Sequence, residues 1–134
     1  MLDTNICSFI MREHPLSVLT RLQEVVQKRN RVVISAITYS ELRFGAIGKK
    51  VSPKHNQIVD EFMSCVDAVL PWGKHAVEES AKVKKDLSDN GTPIGHNDTL
   101  IAGHAISEKC ILVTNNLNEF ERVDELIVED WVSH

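Results

Sequence analysis

The sequence predicts an α/β fold, a three-layer α/β/α sandwich around a central, mostly parallel sheet. Short apolar runs of strand length alternate along the chain with stretches of helical period, the pattern of parallel strands joined by crossover helices. Several of the apolar runs lead into an acidic residue, and in open α/β sheets the carboxyl ends of the strands line the functional crevice. The 134 residues match the usual size of one domain, so residues 1–134 are expected to share one core.

Taken in order, Met1-Leu2-Asp3-Thr4-Asn5 reads as a buried strand that ends in a carboxylate. Pro15 suits the first turn of a helix, and Leu16, Leu19, Leu22, Val25 and Val26 keep helical spacing to Lys28. Arg31 to Ser35 is a short β-branched strand, followed by a helix from Thr38 to Ile47 closed by Gly48. Ser52-Pro53 resembles an N-cap with proline after it, and Ile58, Val59, Phe62, Met63 and Val66 form one stripe. Ala68 to Leu70 is a third strand, stopped by Pro71.

A helix over His75 to Asp89 should end at Asn90-Gly91, before the loop Gly91-Thr92-Pro93-Ile94-Gly95. Asn97 to Glu108 is a helix with so little polar surface that it should be largely buried. Ile111 to Thr114 and Leu126 to Val128 supply the last two strands. No repeat, linker or low-complexity tract interrupts this alternation.

Composition narrows the functional classes. No apolar run approaches the roughly 20 residues that span a bilayer, and Asp3 and Asn5 interrupt the place where a secretory leader would have its apolar core. Cys7, Cys65 and Cys110 are odd in number and lack CxxC spacing, which argues against a disulfide framework and a zinc site and points to a reducing, cytoplasmic setting. The net charge of −4 divides unevenly: residues 1–67 hold nine Lys/Arg against seven Asp/Glu, and residues 68–134 six against twelve. A general basic footprint for nucleic acid is missing, although Arg43, Lys49, Lys50 and Lys54 offer a local basic rim that can equally be a solvated helix end.

Asp3, Glu41, Asp98 and Glu119 all fall on the predicted carboxyl edge of the sheet. Each has an ordinary explanation. Asp3 can cap a turn, Thr38-x-x-Glu41 matches a capping box, Asn97-Asp98 suits a helix N-terminus, and Glu119 can be a surface glutamate. Their coincidence on one edge favours a site. Two carboxylates about 4 Å apart repel by roughly 4 kcal/mol at an effective dielectric near 20, so such a cluster calls for a counter-ion. All-oxygen ligands suit Mg²⁺ or Mn²⁺ and not zinc, and such ions support hydrolysis of phosphodiesters. No phosphate-binding glycine motif or nucleophilic triad competes with this reading.

Met1-Leu2-Asp3-Thr4-Asn5, Ser35-x-x-Thr38-x-x-Glu41-Leu42, Gly95-x-Asn97-Asp98-x-x-Ile101-Ala102 and Leu112-Val113-Thr114-Asn115-Asn116 resemble the successive acidic motifs of PIN-domain ribonucleases. The likeness runs almost end to end and is stronger still to the VapC toxins of bacterial VapBC toxin–antitoxin modules. It implies a PIN-like fold, a Mg²⁺- or Mn²⁺-dependent endoribonuclease, homodimers and inhibition by a cognate VapB-type antitoxin. Asp3, Glu41 and Asp98 match the family's three principal metal-binding acids, with Asn5 and Thr114 at supporting polar positions. Thr92 to Gly95, Ala102-Gly103-His104-Ala105 and the stretches Glu119 to Val123 and Glu129 to Trp131 resemble a subgroup that cuts initiator tRNA in the anticodon stem-loop.

The chain departs from the family twice. Asn116 stands where many relatives have Asp, leaving Glu119, one helical turn on, to supply the charge. Relatives also carry a few residues before this Met-Leu-Asp, which suggests a native start upstream of Met1. The rival enzyme is an aspartyl phosphotransferase of the haloacid-dehalogenase type, disfavoured because Asn5 replaces its second acid. The rival from another class is a catalytically silent PIN-like module that binds RNA or a basic protein partner. Cys7 and His104 read as packed core residues. His96 lies at the proposed mouth, and Tyr39, Phe44, Trp72 and Trp131 can stack on bases but more often serve core or partner contacts.

Overall fold

The computed structural model describes residues 1–48 and 52–132, so Lys49 and Lys50 of the expected basic rim lie outside the described residues. In chain order it comprises α1 (Thr4–Met11), α2 (Leu16–Gln27), β1 (Val33–Ser35), α3 (Ala36–Gly45), α4 (Lys54–Met63), β2 (Ala68–Leu70), α5 (Lys74–Asp89), α6 (His96–Ser107), β3 (Leu112–Val113), α7 (Leu117–Phe120) and β4 (Val128–Glu129). Strands β1 and β2 are parallel, with Ile34 opposite Val69, and β3 and β4 are parallel, with Leu112 opposite Val128.

The N-terminal segment joins these two ribbons. Leu2 bridges Val113 in parallel. The Leu2 N–H donates to the Val33 carbonyl and the Asp3 N–H to the Val113 carbonyl, both at 3.0 Å, while Val113 N–H returns a bond to Met1 at 2.8 Å. The backbone order is therefore β2, β1, Met1–Asp3, β3, β4. The chain leaves its central segment toward β1 and later crosses to β3 on the other side. That reversal places the crevice of the sheet beside Asp3.

Side chains alternate across this sheet as a period of two requires. Leu2, Val32, Ile34 and Val113 pack with Ile6, Val18, Val59 and Phe62 of α1, α2 and α4. Met1, Val33 and Leu112 pack on the other face with Val83, Leu87, Ile101, Ala102, Ala105 and Phe120 of α5, α6 and α7. Two cores on opposite faces of one parallel sheet make the three-layer sandwich that the alternation of elements predicts.

Several local expectations need correction. The first strand is a single bridge, because the chain turns into α1 at once, a helix that the sequence analysis did not foresee. The β-branched Thr4 and Ile6 disfavour helix by propensity, and α1 forms because Asp3 caps it and Ile6 and Cys7 are fully buried. Helix α3 starts at Ala36 and not Thr38, since the Ser35 hydroxyl caps it by accepting from Ile37 N–H at 3.1 Å, and it ends at Gly45, before Gly48. Thr38 is buried within the helix, so the capping box with Glu41 does not form. Ser52 does take a capping part, accepting from Lys54 N–H at 3.3 Å. Gly91 has φ of +69°, the left-handed turn expected after α5.

Helix α6 is buried along Thr99, Ile101, Ala102, Gly103, His104 and Ala105. It crosses α5 closely at Gly103, where a Cβ would come within 2.5 Å of the Ser80 backbone. Backbone cannot yield as a flexible side chain can. Gly103→Ala is therefore expected to destabilise the fold by about 2 kcal/mol, overpacking outweighing the better helix propensity of alanine. A urea midpoint at or above the parent's would contradict this close packing.

His104 carries a second tie. Its Nδ1 lies 2.7 Å from Ser35 Oγ, both residues fully buried. Burial lowers the pKa of the imidazole, so the bridge between α6 and the start of α3 is made by a neutral ring. This is the packed, hydrogen-bonded histidine that its apolar surroundings suggest.

Candidate active site

The four acids reach the carboxyl edge from four different elements. Asp3 stands at the junction of the central segment and α1, and is 4% exposed. Its Oδ1 accepts from Ile6 N–H at 2.9 Å and its Oδ2 from the Thr114 hydroxyl at 2.6 Å. The modest reading of Asp3 as a cap is thus correct, and the same carboxylate also faces the next strand. Thr114 Oγ in turn accepts from Asn116 N–H at 3.0 Å, which orders the turn from β3 into α7.

Glu41 is half-buried midway along α3, where its Oε1 accepts from the Thr4 hydroxyl at 2.7 Å. Thr4 was not singled out from the sequence; 37 residues separate it from Glu41, and only the fold joins them. Asp98 lies in the first turn of α6, whose cap is Gly95 with no side-chain bond, so its carboxylate is free of the capping duty that Asn97-Asp98 suggests. Glu119 falls in the first turn of the short α7, which is the helical turn expected after Asn116. Its Oε2 is buried and accepts from no N–H or hydroxyl, which leaves the Asp98 carboxyl as the group with which Glu119 can share a proton.

Electrostatics link these groups. Burial, a hydrogen bond to Glu119 and the nearby charges of Glu119, Asp3 and Glu41 push the Asp98 carboxyl up to about 7. Asp3 is also raised, first by burial and further by Glu41, while the Thr114 hydroxyl and the Ile6 N–H oppose the rise. Among the described residues no lysine or arginine is a leading cause of either shift, and the acids act chiefly on one another.

Among the described residues, no three His, Cys, Asp or Glu side chains stand close enough to enclose an ion as they are. Asp3 and Glu41 are instead turned to the hydroxyls of Thr114 and Thr4. The donor set still fits a hard divalent cation. It consists of carboxylate oxygens, Asp98 is held partly protonated by its neighbours, and the orphaned Glu119 Oε2 is a buried acceptor in need of positive charge.

The supporting residues divide. Thr114 is buried against Asp3, whereas the Asn5 side chain is exposed and only its backbone N–H serves that carboxylate. Asn116 is half-buried and begins α7. Arg43 does not belong to a free basic rim: its guanidinium stacks on Tyr39 and bonds Asn56 and Asp60, both at 2.6 Å, tying α3 to α4. His96 is exposed at the start of α6, Phe44 is exposed on α3, and Trp131 is core, with its indole N–H on Glu129 at 2.8 Å. The cysteines are unpaired thiols, Cys7 buried and Cys65 exposed. Among the described residues no helix is long and apolar enough to cross a membrane.

The chain as a whole matches a known family. The PIN domain model fits residues 1–126, and the chain belongs to the PIN-domain family. The chain is 38% identical over 131 residues to the tRNA(fMet)-specific endonuclease VapC of Shigella flexneri, covering 98% of this chain and 96% of that protein. It is 37% identical over 131 residues to ribonuclease VapC2 of Rickettsia felis, again covering 98% and 96%. Among solved structures, VapBC2 of Rickettsia felis bound to a promoter DNA fragment superposes with a TM-score of 0.90 at 36% identity, covering 98% and 97% of the two chains. DNA-bound VapBC of Salmonella typhimurium gives 0.88 at 36%, covering 98% and 96%. Within the PIN domains, the chain thus falls among the VapC proteins of VapBC modules.

Proposed function

We propose that the chain is a metal-dependent endoribonuclease toxin that hydrolyses RNA phosphodiester bonds in the cytoplasm. The observation that carries this reading is the mutual perturbation of the acids, with Asp98 raised to about 7 beside a buried, unpartnered Glu119 oxygen. The relatives named as ribonucleases support it. Asp3, Glu41, Asp98 and Glu119 would hold Mg²⁺ or Mn²⁺, with Asn5, Thr114 and Asn116 ordering the surrounding backbone and side chains. Once bound, the ion supplies positive charge to the scissile phosphate and acidifies attacking water.

The chain's own residues prepare that chemistry. Thr114 and the Ile6 N–H fix both oxygens of Asp3 at the floor of the crevice. Thr4 holds Glu41 from the first turn of α1. Asp98 carries a proton over part of the neutral range and releases it when positive charge arrives. No side-chain nucleophile is required.

The names of the relatives favour tRNA, and initiator tRNA in particular, as the substrate, and the subgroup motifs favour a cut in its anticodon stem-loop. Their VapBC assemblies favour neutralisation by a VapB-type antitoxin, and the family resemblance adds a homodimer to the reading. Purified protein incubated with tRNA should cleave it in Mg²⁺ or Mn²⁺ and not in chelator. Intact tRNA and intact total RNA in both metals would leave a silent module that binds RNA or a basic partner.

Loss of the Thr4 hydroxyl in Thr4→Val should reduce cleavage by about tenfold, roughly 1.4 kcal/mol, by freeing Glu41 to rotate. Thr4→Ser should restore it. Equal rates in the two variants and the parent would remove Thr4 from the site.

A further inference from the structure

A cavity of about 480 Å³ lies between α5, α6 and the loop that leads into α6. Trp72, Pro93, Ile94 and Leu100 give it apolar walls, and Lys84 and His96 stand on its lining. Among the described residues no carboxylate lines it, and Lys84 is its one permanent charge. That is unusual placement in a half of the chain where twelve acidic residues outnumber six basic ones. Trp72 is held in place by its indole N–H, which donates to the Leu100 carbonyl at 3.1 Å, so it meets any occupant through its ring carbons. The loop is braced as well, Arg122 donating to the Pro93 carbonyl at 3.2 Å.

The cavity and the acidic site share the first turn of α6: His96 and Thr99 line the cavity, and Asp98, between them in sequence, stands with the acids. An RNA strand whose phosphate is cut at Asp98 must lead its neighbouring nucleotides along one wall or another of this helix. We propose that the cavity is a nucleotide subsite, taking an unpaired base of the RNA beside the scissile phosphate against Trp72, with the backbone phosphate toward Lys84 and His96. The volume falls within the roughly 300–1,000 Å³ of small-molecule pockets. An aromatic wall with a cation at its rim is how proteins hold single-stranded nucleotides. An unpaired base fits where a duplex would not, so the subsite selects loops over helical RNA.

The proposal rests on the ribonuclease reading, and its test separates the two. The chain has two tryptophans, Trp72 and the buried Trp131. In chelator, where RNA is not cut, a single-stranded adenine ribohexamer should quench tryptophan emission saturably, and Trp72→Leu should abolish the quench while keeping the apolar packing. In Mg²⁺, Trp72→Leu and Lys84→Glu should each raise KM for a loop-containing RNA at least fivefold with kcat changed less than twofold. Lys82→Glu, the same charge change on the same helix outside the cavity, should leave KM at the parent value. A quench retained in Trp72→Leu, or KM values that rise equally for Lys82→Glu and Lys84→Glu, would overturn the subsite while cleavage by the parent upholds the ribonuclease. Trp72 emission that changes with protein concentration alone would assign the cavity to contact between copies of the chain and overturn it too.

Discussion

Asp98→Asn is expected to lower RNA cleavage by at least about a hundredfold, roughly 2.7 kcal/mol of transition-state stabilisation, and to make the protein more stable in chelating buffer. The two effects share one cause. Asp98 sits among Glu119, Asp3 and Glu41, and the burial and repulsion that raise its pKa to about 7 oppose its ionisation in the folded state. In the unfolded chain an aspartate titrates near 3.9. The folded protein therefore binds the proton more tightly, and the stability this contributes is complete below about pH 4 and is lost as pH rises to about 7. An amide bears no charge at any of these values. The advantage of Asp98→Asn should thus be small at pH 4, grow to pH 7 and stay level above it, as urea midpoints across that range would show. Mg²⁺ should also bind the parent more weakly as pH falls below about 7, because it must displace that proton. Parent-level cleavage by Asp98→Asn at saturating Mg²⁺ would end the metal-site proposal.

The next largest effect is expected at Glu119. A site served by Asp3, Glu41 and Asp98 alone offers three negative charges, and Asn116 adds an amide. The buried Glu119 Oε2 accepts from no N–H or hydroxyl, a cost that positive charge would relieve. Glu119→Gln should lower cleavage at least about tenfold, roughly 1.4 kcal/mol, and raise the Mg²⁺ concentration needed. Asn116→Ala should do less, since its backbone N–H, which bonds Thr114, is kept. If Glu119→Gln matches the parent across a Mg²⁺ titration while Asn116→Ala is inactive, the ordering role belongs to Asn116 and Glu119 has no part in holding the ion.

The parallel sheet and its helical layers were legible because burial on both faces leaves unbroken apolar strands, and because α2, α4 and α5 carry clear helical stripes. The convergence of the four acids was legible for the same reason: strand ends can be read, and strand ends define the edge. Helix α1 was not, because Ile6, Cys7, Phe9, Ile10 and Met11 crowd into one short apolar run in which helical spacing is hard to tell from a buried strand, and the helix is fixed by its cap and by tertiary packing of Ile6 and Cys7. The cap of α3 was misplaced by three residues since Ser35 and Thr38 offer the same hydroxyl and only the end of β1 distinguishes them. Thr4 on Glu41, and Ser35 on His104, join residues 37 and 69 positions apart, beyond the reach of any local pattern.

The Ser35–His104 contact limits where this protein can vary. One hydroxyl begins the helix that carries Glu41 and meets the middle of the helix that carries Asp98, and the same residue pairs with Leu70 in the sheet. A substitution at position 35 disturbs three elements at once, and one at position 104 leaves the buried Ser35 hydroxyl with the Ile37 N–H alone. Neither residue is a place from which substrate preference can drift in small steps. That freedom belongs to positions such as His96 and Lys84, exposed on the lining of the cavity and bound into no such bridge, where a sequence can explore new RNA without first rebuilding its core.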